Sequence, residues 1–299
     1  MDINKIVVIG SCNTDMVITT DRLPKPGETV LGGNFKMFSG GKGANQAVAA
    51  ARLGGNVSFI ANLGDDLFGK QLIEQYKKEG IDTRYVFSDI NSPTGVALIT
   101  VDENGENSIA VASGANAALR PDNIEKAIDI IESTDILLMQ LEIPLQTVEY
   151  AARLAHAKGA KVILNPAPAT SLSNELLKSL YAIIPNQIEA EILSGIRIAD
   201  SISARKATDI IAAKGVDKVI ITLGERGVFV KDKTNYYKIP AHKVKVIDTT
   251  AAGDTFCGAV CVALSEGMPV YEAAEMANKA ASIAVSRQGA QSSIPFREE

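Results

Sequence analysis

Short apolar runs rich in β-branched residues alternate with longer amphipathic segments along most of this chain. The runs are residues 6–9, 57–61, 136–141, 162–164, 182–184 and 219–222. Parallel strands covered by helices on both faces have this composition, because neither face meets water. The segments with helical periodicity are residues 66–79, 121–132, 144–158, 203–214 and 270–286. The alternation predicts an α/β fold with a central, mainly parallel β-sheet flanked by helices.

Two stretches, residues 16–38 and 94–112, lack helical periodicity and are typical of β-hairpins. In the second, Asn104-Gly105 is a strong turn signal between two apolar runs. We expect both stretches to leave the α/β body and to pair as one small sheet. The predicted organisation is therefore a single domain over residues 1–299, with lid segments at about 14–40 and 94–112 that exclude water from a site.

Composition excludes several classes of function. A formal net charge of -5 without a Lys/Arg cluster argues against nucleic-acid binding. The apolar run near the N-terminus is too short for a signal segment or a membrane span. The cysteines are Cys12, Cys257 and Cys261, and no two form a CxxC pair, so we expect neither a disulfide framework nor a cysteine metal site. A reducing cytoplasm is the expected compartment.

The stretch from Asp248 to Ala259 joins a strand-like run to a helix through small residues. Ala251, Ala252 and Gly253 let backbone N–H groups approach a ligand, and Asp254 places one carboxylate at the junction. The N-terminus of a helix favours an anion, and an acid beside it suits transfer of a phosphoryl group to a hydroxyl. Taken alone, an ordinary helix start explains the stretch equally well.

Two further motifs contain polar residues that could bind a ligand. Ser39 to Gly54 is a glycine-rich turn that opens into an alanine-rich helix, with Lys42 and Asn45 as donors at its start; it is not a Walker A loop. Asn13 and Asp15 follow the first strand, where α/β folds place their ligands, and would suit the vicinal hydroxyls of a sugar. Each motif alone also fits a plain loop or turn.

Together these motifs resemble the signatures of the ribokinase, or PfkB, family of carbohydrate kinases. Further landmarks follow in the family's order at residues 139–142, 165–168, 185–191 and 222–227, so the resemblance covers residues 6–298. Within the family it is greatest to the kinases of ribose. It implies a ribokinase-like fold and an ATP-dependent transfer that converts D-ribose into D-ribose 5-phosphate, with ADP as the second product.

The resemblance also assigns roles to residues. Asp254 would be the base that takes the proton from the sugar hydroxyl, and the backbone of Ala251, Ala252 and Gly253 would form the anion hole. The sugar-binding residues would be Asn13, Thr14, Asp15, Gly41, Lys42, Gly43, Ala44, Asn45, Glu142 and Asp254. The ATP-binding residues would be Asn186, Thr222, Leu223, Gly224, Glu225, Arg226, Gly227, Gly253 and Asn278.

Two cations and a second subunit are implied in the same way. Glu189 and Glu191 fall in the family's Asn-x-x-Glu region, which helps to organise Mg²⁺ and phosphate. An activating K⁺ would be held mostly by backbone carbonyls, at Asp248, Thr250, Ala284, Arg287, Gly289 and Ser293. The small sheet would also form a homodimer contact.

The chain departs from the family pattern in two places. Thr250 stands where relatives are often aliphatic, which leaves its backbone carbonyl unchanged. The chain stops at Glu299, where relatives often continue into a further helix, so a less stable C-terminal end is expected.

Other interpretations remain open from the sequence. The acceptor could be 2-deoxyribose, another sugar or a nucleoside, although the polar set around Asn13 and Glu142 favours a small sugar. A non-catalytic sugar or nucleotide sensor would be expected to lack Asp254 or the glycine of the anion hole, and both are present. A Rossmann-type dinucleotide enzyme is disfavoured because no GxGxxG follows the first strand.

Overall fold

The computed structural model describes residues 4–299, and its strands and helices follow the predicted alternation. The strands are β1 (Lys5–Ile9), β2 (Asn13–Thr19), β3 (Asn34–Gly40), β4 (Asn56–Gly64), β5 (Asp82–Asp89), β6 (Gly95–Val101), β7 (Asn107–Ala112), β8 (Ile136–Met139), β9 (Lys161–Leu164), β10 (Ala182–Ile183), β11 (Lys218–Thr222), β12 (Val228–Asp232) and β13 (Asn235–Ile239). The α-helices are α1 (Lys42–Arg52), α2 (Leu67–Lys78), α3 (Pro121–Lys126), α4 (Ile128–Glu132), α5 (Leu145–Ala157), α6 (Asn174–Lys178), α7 (Gln187–Ser194), α8 (Ser201–Ala213), α9 (Ala252–Ser265) and α10 (Val270–Ala284). Short 3-10 helices cover Gly114–Ala118, Gly224–Arg226 and Gln291–Ser293.

The larger sheet has the strand order β13-β12-β11-β10-β9-β8-β1-β4-β5. Its strands from β11 to β5 pair in parallel, and β12 and β13 add an antiparallel edge. From β1 the chain builds outward in both directions, first to β4 and β5 and later to β8. This is the topology in which a crevice opens outside the carboxyl ends of the strands. The predicted fold class is confirmed.

Helices cover both faces of the larger sheet, and alternate residues of β1 show this directly. Ile6 and Val8 pack in a core shared with α1, α2, α9 and α10. Val7 and Ile9 pack in a second core against α5 and its neighbours. All four side chains are buried, as the continuous apolar runs predict.

The second sheet has the order β3-β2-β6-β7, so the two irregular stretches do pair with each other. Strands β2 and β6 run parallel, and β6 and β7 form a hairpin across the predicted Asn-Gly turn, where Gly105 adopts a φ of 82°. We call these four strands the small sheet. Its β7 is exposed along its whole length, in contrast to the buried strands of the larger sheet.

Several predicted boundaries and elements differ from the structure. Strand β8 ends at Met139 rather than at residue 141, because Leu141 turns away to bond the carbonyl of Ala167. The helix predicted for residues 121–132 is divided at Ala127 into α3 and α4. Strand β5 and helices α6 and α7 were not predicted, since the apolar run of β5 is only the three residues 85–87 between polar ones and the two helices are short.

Candidate active site

The candidate site is a cavity of about 720 Å³ at the carboxyl ends of the parallel strands. The loops after β1, β8, β9, β10 and β11 reach it, together with the N-termini of α1 and α9. Parallel strands bring these loops to one edge although they are far apart in the chain. The small sheet closes one side of the cavity with Ala97, Ile99, Ile109 and Val111.

Most of the predicted sugar-binding residues line this cavity. They are Asn13, Asp15, Gly41, Lys42, Asn45, Glu142 and Asp254. Thr14, Gly43 and Ala44 are buried without lining it. A Cβ on Gly43 would stand 2.6 Å from the backbone of Gly10, and Ala44 donates its N–H to the Ser11 carbonyl. Gly43 and Ala44 therefore pack α1 against the end of β1 rather than facing a ligand.

Asp254 lies in the first turn of α9 and is only 7% exposed. Asn45 Nδ2 donates to its Oδ2 over 3.0 Å, and Gln46 Nε2 donates to its Oδ1 over 2.9 Å. Gln46 is itself held by Gln140, whose Nε2 donates to Gln46 Oε1 over 2.5 Å. Each carboxylate oxygen thus has one amide donor from α1, which fixes the plane of the carboxylate and leaves its other lone pairs free.

The charged side chains of the cavity shift one another's pKa values, and three carboxylates act on Lys42. Burial raises the pKa of Asp254, although Lys42 and the two amide donors oppose the shift. Burial and the charges of Glu142 and Asp254 raise the pKa of Asp15 to about 6. Burial lowers the pKa of Lys42, but the charges of Asp254, Glu142 and Glu189 together outweigh it and the net shift is upward. The cavity therefore holds a cation within a strongly acidic wall, an arrangement suited to polar hydroxyl groups.

Residues that were not predicted orient the sugar-binding set. Ser11 Oγ donates to Glu142 Oε2 over 2.6 Å, and the Lys42 backbone N–H donates to the same oxygen over 3.1 Å. Asn116 Nδ2 donates to Asn13 Oδ1 over 2.7 Å. Ser11, Gln46 and Gln140 lie next to or within the motifs of the sequence, but nothing in the sequence indicates their hydrogen-bond partners, and Asn116 lies outside every motif.

The backbone at the start of α9 is arranged for an anion. Ala251 adopts the left-handed conformation, with a φ of 58°, which is a strained geometry for a residue with a Cβ. Within residues 4–299, the backbone N–H groups of Gly253 and Asp254 have no hydrogen-bond acceptor. A Cβ on Gly253 would meet no atom within 4 Å, so this amide borders open space. Unpaired first-turn amides beside open space form an anion site.

A second cavity of about 670 Å³ adjoins the first, and Thr222, Gly224, Thr249 and Gly253 border both. It collects most of the predicted nucleotide-binding residues, namely Thr222, Gly224, Glu225, Arg226, Gly227, Gly253 and Asn278. Leu223 and Asn186 instead line the first cavity. The apolar part of its wall, which the sequence did not predict, comes from Pro240, Ala241, Val244, Val246 and Phe256. The unpaired Gly253 amide thus lies where the two cavities meet.

The loop predicted to hold K⁺ closes on itself through Asp248. Its carboxylate accepts hydrogen bonds from the Thr250 backbone N–H over 2.9 Å, the Thr250 hydroxyl over 2.6 Å and the Gly289 N–H over 2.9 Å. In the described part of the chain, the carbonyl oxygens of Thr250, Arg287 and Gly289 accept no hydrogen bond. The carbonyl of Ala284 accepts the Arg287 N–H over 3.0 Å and keeps its second lone pair. Ser293 is buried within the adjoining 3-10 helix. A set of free carbonyl oxygens fits a hard monovalent cation.

The two glutamates predicted for Mg²⁺ lie on different sides of α7. Glu189 lines the first cavity and accepts hydrogen bonds from the backbone and side chain of Asn186, each over 2.8 Å. Glu191 instead accepts from Gln187 and from the Ile198 N–H, so it caps the following loop and lies outside the cavity. The Mg²⁺ prediction therefore rests on Glu189 and not on Glu191. Between residues 4 and 299, no three or more His, Cys, Asp and Glu side chains gather as a preformed metal site.

In the part of the chain that the structure describes, no helix combines the length and apolar character needed to cross a membrane. The cysteines at positions 12, 257 and 261 are all free and buried.

Comparisons with known proteins agree with this geometry. The model of a family described as pfkB family carbohydrate kinase matches residues 3–297. The chain is 49% identical to a ribokinase of Haemophilus influenzae over 98% of this chain and 96% of the relative. It is 36% identical to a deoxyribokinase of Salmonella typhi, again over 98% of this chain and 96% of the relative. A solved structure of Arabidopsis thaliana ribokinase complexed with ribose and ATP superposes with a TM-score of 0.93 at 33% identity, covering 100% of this chain and 97% of that one.

Proposed function

The chain belongs to the pfkB family of carbohydrate kinases, and from that premise we propose that it transfers the γ-phosphoryl group of ATP to O5 of D-ribose. The observation that carries the proposal is the position of Asp254. Its carboxylate is buried, is held by two side-chain amides, and lies in the same helical turn as two unpaired backbone N–H groups. One helix start thus combines a proton acceptor with an anion site.

The reaction follows from these groups. The ribose 5-hydroxyl lies against Asp254, which accepts its proton as O5 forms a bond to the γ-phosphorus. The bond from that phosphorus to the β,γ-bridging oxygen breaks, and ADP leaves with the bond's electron pair. The Gly253 and Asp254 N–H groups stabilise charge on the transferring phosphoryl oxygens, which spread negative charge in the transition state.

Sugar recognition depends on the remaining polar wall of the first cavity. Asp15 and Glu142 accept hydrogen bonds from ribose hydroxyls, and Lys42 and Asn45 donate to ribose oxygens. Asn13 is held in place by Asn116, and Glu142 by Ser11, so both enter the cavity already oriented. Fixed partners of this kind reduce the entropy that binding must overcome.

The second cavity takes the nucleotide in this proposal. Thr222, Gly224 and Asn278 border it, and the apolar side chains at positions 240, 241, 244 and 246 suit the adenine base. Asn186 and Leu223 lie on the side of the first cavity, where the phosphates would pass. The shared border at Gly253 supports a position of the γ-phosphate beside Asp254.

Both cations are part of the proposal. Glu189 would hold Mg²⁺ together with ATP phosphates and water, and Mg²⁺ supplies positive charge that neutralises the phosphates. A preformed protein cage is not needed for Mg²⁺, which fits the single carboxylate found here. The Asp248 carboxylate and the carbonyl oxygens at positions 250, 284, 287, 289 and 293 would hold K⁺, which orders the start of α9.

The small sheet acts as the lid of the cavity and as the dimer contact in our proposal. Strand alternation directs Asp15, Ala97 and Ile99 into the cavity. The opposite face carries Ile18, Phe35, Met37 and Leu98, which are between 37% and 60% exposed. An exposed apolar sheet face of this kind is typical of a subunit contact, so we expect a homodimer. We place the reaction in the cytoplasm, where free cysteines persist.

The experiment that tests the function is an ADP-release assay with D-ribose, 2-deoxyribose, fructose and adenosine, each in K⁺ and in Na⁺. We expect D-ribose to give the highest kcat/KM and K⁺ to raise the rate. Equal rates on several acceptors would mean that the substrate is a broader class than ribose. The comparison of D-ribose with 2-deoxyribose is the most informative one, because the chain is also similar to a deoxyribokinase. Equal rates in K⁺ and Na⁺ would remove the K⁺ site, and ribose binding without ADP release would indicate a sensor.

A further inference from the structure

A continuous chain of side-chain hydrogen bonds leads from the small sheet to Asp254. Ser39 Oγ donates to Gln75 Oε1, and Gln75 Nε2 donates to Gln291 Oε1 over 2.9 Å. Gln291 Nε2 donates to Asn45 Oδ1 over 3.2 Å, and Asn45 Nδ2 donates to Asp254 Oδ2 over 3.0 Å. We call these five residues the amide chain.

The direction of every bond in the amide chain follows from its last member. An ionised carboxylate only accepts hydrogen bonds, so Asn45 must present its NH₂ group to Asp254 and its carbonyl to Gln291. Gln291 must then present its own NH₂ group to Asn45, and Gln75 does the same toward Gln291. All the donors therefore point toward Asp254, and aligned bonds of this kind polarise one another.

Gln291 is the central member of the amide chain, because it links the two members on β3 and α2 to the two members on α1 and α9. It is 3% exposed and belongs to the 3-10 helix Gln291–Ser293, which follows Gly289 of the proposed K⁺ loop. Arg52 of α1 fixes this segment by donating to the carbonyls of Gln291 and Ile294 over 2.7 and 2.9 Å. Arg52 is itself held by a bidentate contact with Glu79 at the end of α2. The backbone of Gln291 is thus held by Arg52, while its side chain bonds to Gln75 on one side and to Asn45 on the other.

The outer end of the amide chain lies where the small sheet joins the body. Ser39 is the next-to-last residue of β3, and Gly40 and Gly41 connect β3 to α1. Gly41 has a φ of 90°, and a Cβ there would stand 2.7 Å from the Cys12 Cα, so this connection is tightly packed. Ser39 lies on β3 and Gln75 on α2, so their hydrogen bond is the link of the amide chain that a shift of β3 relative to α2 would alter directly.

We propose that Gln291 is a positioning residue for the phosphoryl-transfer reaction: it transmits the position of the small sheet and of the C-terminal loop to Asp254 through Asn45. Gln291 touches neither sugar nor nucleotide cavity. Its role is to hold the Asn45 amide at the angle that leaves Asp254 aimed at the sugar hydroxyl. The inference rests on the proposed function, because it needs Asp254 as the base.

The test compares three variants with the wild-type protein in ribose-dependent ADP release. Gln291→Met keeps the length of the side chain and removes both of its hydrogen bonds, and Gln75→Met interrupts the chain one residue further out. Gln71→Met is the matched control, since Gln71 is exposed on the same helix one turn before Gln75. Thermal unfolding of each variant shows that it is folded before its rates are compared.

We expect Gln291→Met to lower kcat about 10- to 100-fold, because a small misplacement of a catalytic group has effects of this size. KM for ATP should stay close to the wild-type value, and KM for ribose should change much less than kcat, because Asn45 is one of several ribose contacts; a general loss of structure in the site would raise both KM values. Gln75→Met should lower kcat less, and Gln71→Met should leave it unchanged. The double variant of Gln75 and Gln291 should match Gln291→Met alone, since the chain is already interrupted.

An unchanged kcat in folded Gln291→Met or in folded Gln75→Met would overturn the inference, and so would fully multiplicative effects in the double variant. If Gln291→Met does not fold, Gln75→Met decides the outcome alone. Failure of the proposed function has a different signature, because the wild-type protein itself would then release no ADP with ribose.

Discussion

The two aspartates of the cavity, Asp254 and Asp15, differ in the hydrogen bonds that their carboxylates receive from the protein. Asp254 comes from the body, and each of its carboxylate oxygens has an amide donor from α1. Asp15 comes from the small sheet, and within residues 4–299 no side chain or backbone group donates a hydrogen bond to its carboxylate. Burial and the neighbouring carboxylates raise the pKa of Asp15 to about 6. The Asp254 carboxylate is therefore held in place by the protein itself, whereas the Asp15 carboxylate remains available to a ligand.

The difference between the two aspartates matches a division between catalysis in the body and sugar binding at the small sheet. Catalysis gains most from groups that do not have to move when the reaction begins, and Asp254 lies on a buried helix packed against α1. Binding and release of a sugar require a side of the cavity that can open. The exposed strands of the small sheet and the unpaired Asp15 carboxylate suit that side.

The strongest test of the contrast is Asp254→Asn. We expect kcat to fall by roughly 10²- to 10⁴-fold, the range that loss of a general base produces, because an amide cannot take the proton. Binding of ribose and of ATP, measured separately by calorimetry, should change little, and so should thermal unfolding. Turnover that survives the substitution would mean that another group accepts the proton.

The second largest effect is expected on dimer formation, from substitutions on the outer face of the small sheet. The double substitution Phe35→Asp with Met37→Asp puts charge on the proposed dimer contact. Each buried apolar side chain of this size contributes about 1.5–3 kcal/mol, so the dissociation constant of the dimer should rise on the order of 100-fold or more.

Light scattering across a range of concentrations measures the change. Lys36→Asp is the control, because Lys36 lies on the same strand between the two residues and points to the other face. A wild-type protein that is already monomeric at high concentration would remove the dimer from the proposal.

The smallest expected effect concerns stability and distinguishes the two aspartates by pH. The pKa of Asp15 is about 6 in the folded protein against an ordinary value of 3.8, so the folded state binds the proton more tightly. Stability is therefore lost as pH rises from about 4 to about 6, and Asp15→Asn should avoid this loss. At about 1.4 kcal/mol per pKa unit, the variant should be more stable than wild type by up to about 3 kcal/mol above pH 7.

Denaturant unfolding at pH 4 and at pH 7.5, without ligand, measures this difference. The two proteins should have nearly equal stability at pH 4, and Asp15→Asn should bind ribose more weakly at pH 7.5. A variant that is less stable than wild type at pH 7.5 would show that the Asp15 carboxylate stabilises the empty protein.

The sequence was sufficient where local signals and order along the chain carry the information. The apolar runs located the buried parallel strands, and the Asn-Gly turn located the hairpin between β6 and β7. Motifs at strand ends and helix starts converged at one sheet edge, because parallel strands require it. The edge strand β5 was not predicted, because its apolar run of three residues lies between polar residues that are typical of a loop.

The order of residues along the chain did not show which side chains point into the cavity. Glu189 and Glu191 are two residues apart and were predicted together, yet positions two apart on a helix point roughly 200° from each other. Only Glu189 faces the cavity. The same limit applies to Thr14, which alternates with Asn13 and Asp15 along β2 and is buried outside the cavity.

The sequence by itself determined the fold class, the family and the acid at the start of α9, because these depend on periodicity and on spaced motifs. Only the tertiary structure decided what holds that acid in place. Gln46, Gln140 and Gln291 come from three distant parts of the chain, and a glutamine carries no sign of its partner. Their hydrogen bonds exist because the helices and strands that bear them pack together, and so does the shifted pKa of Asp15, which burial and neighbouring charges create.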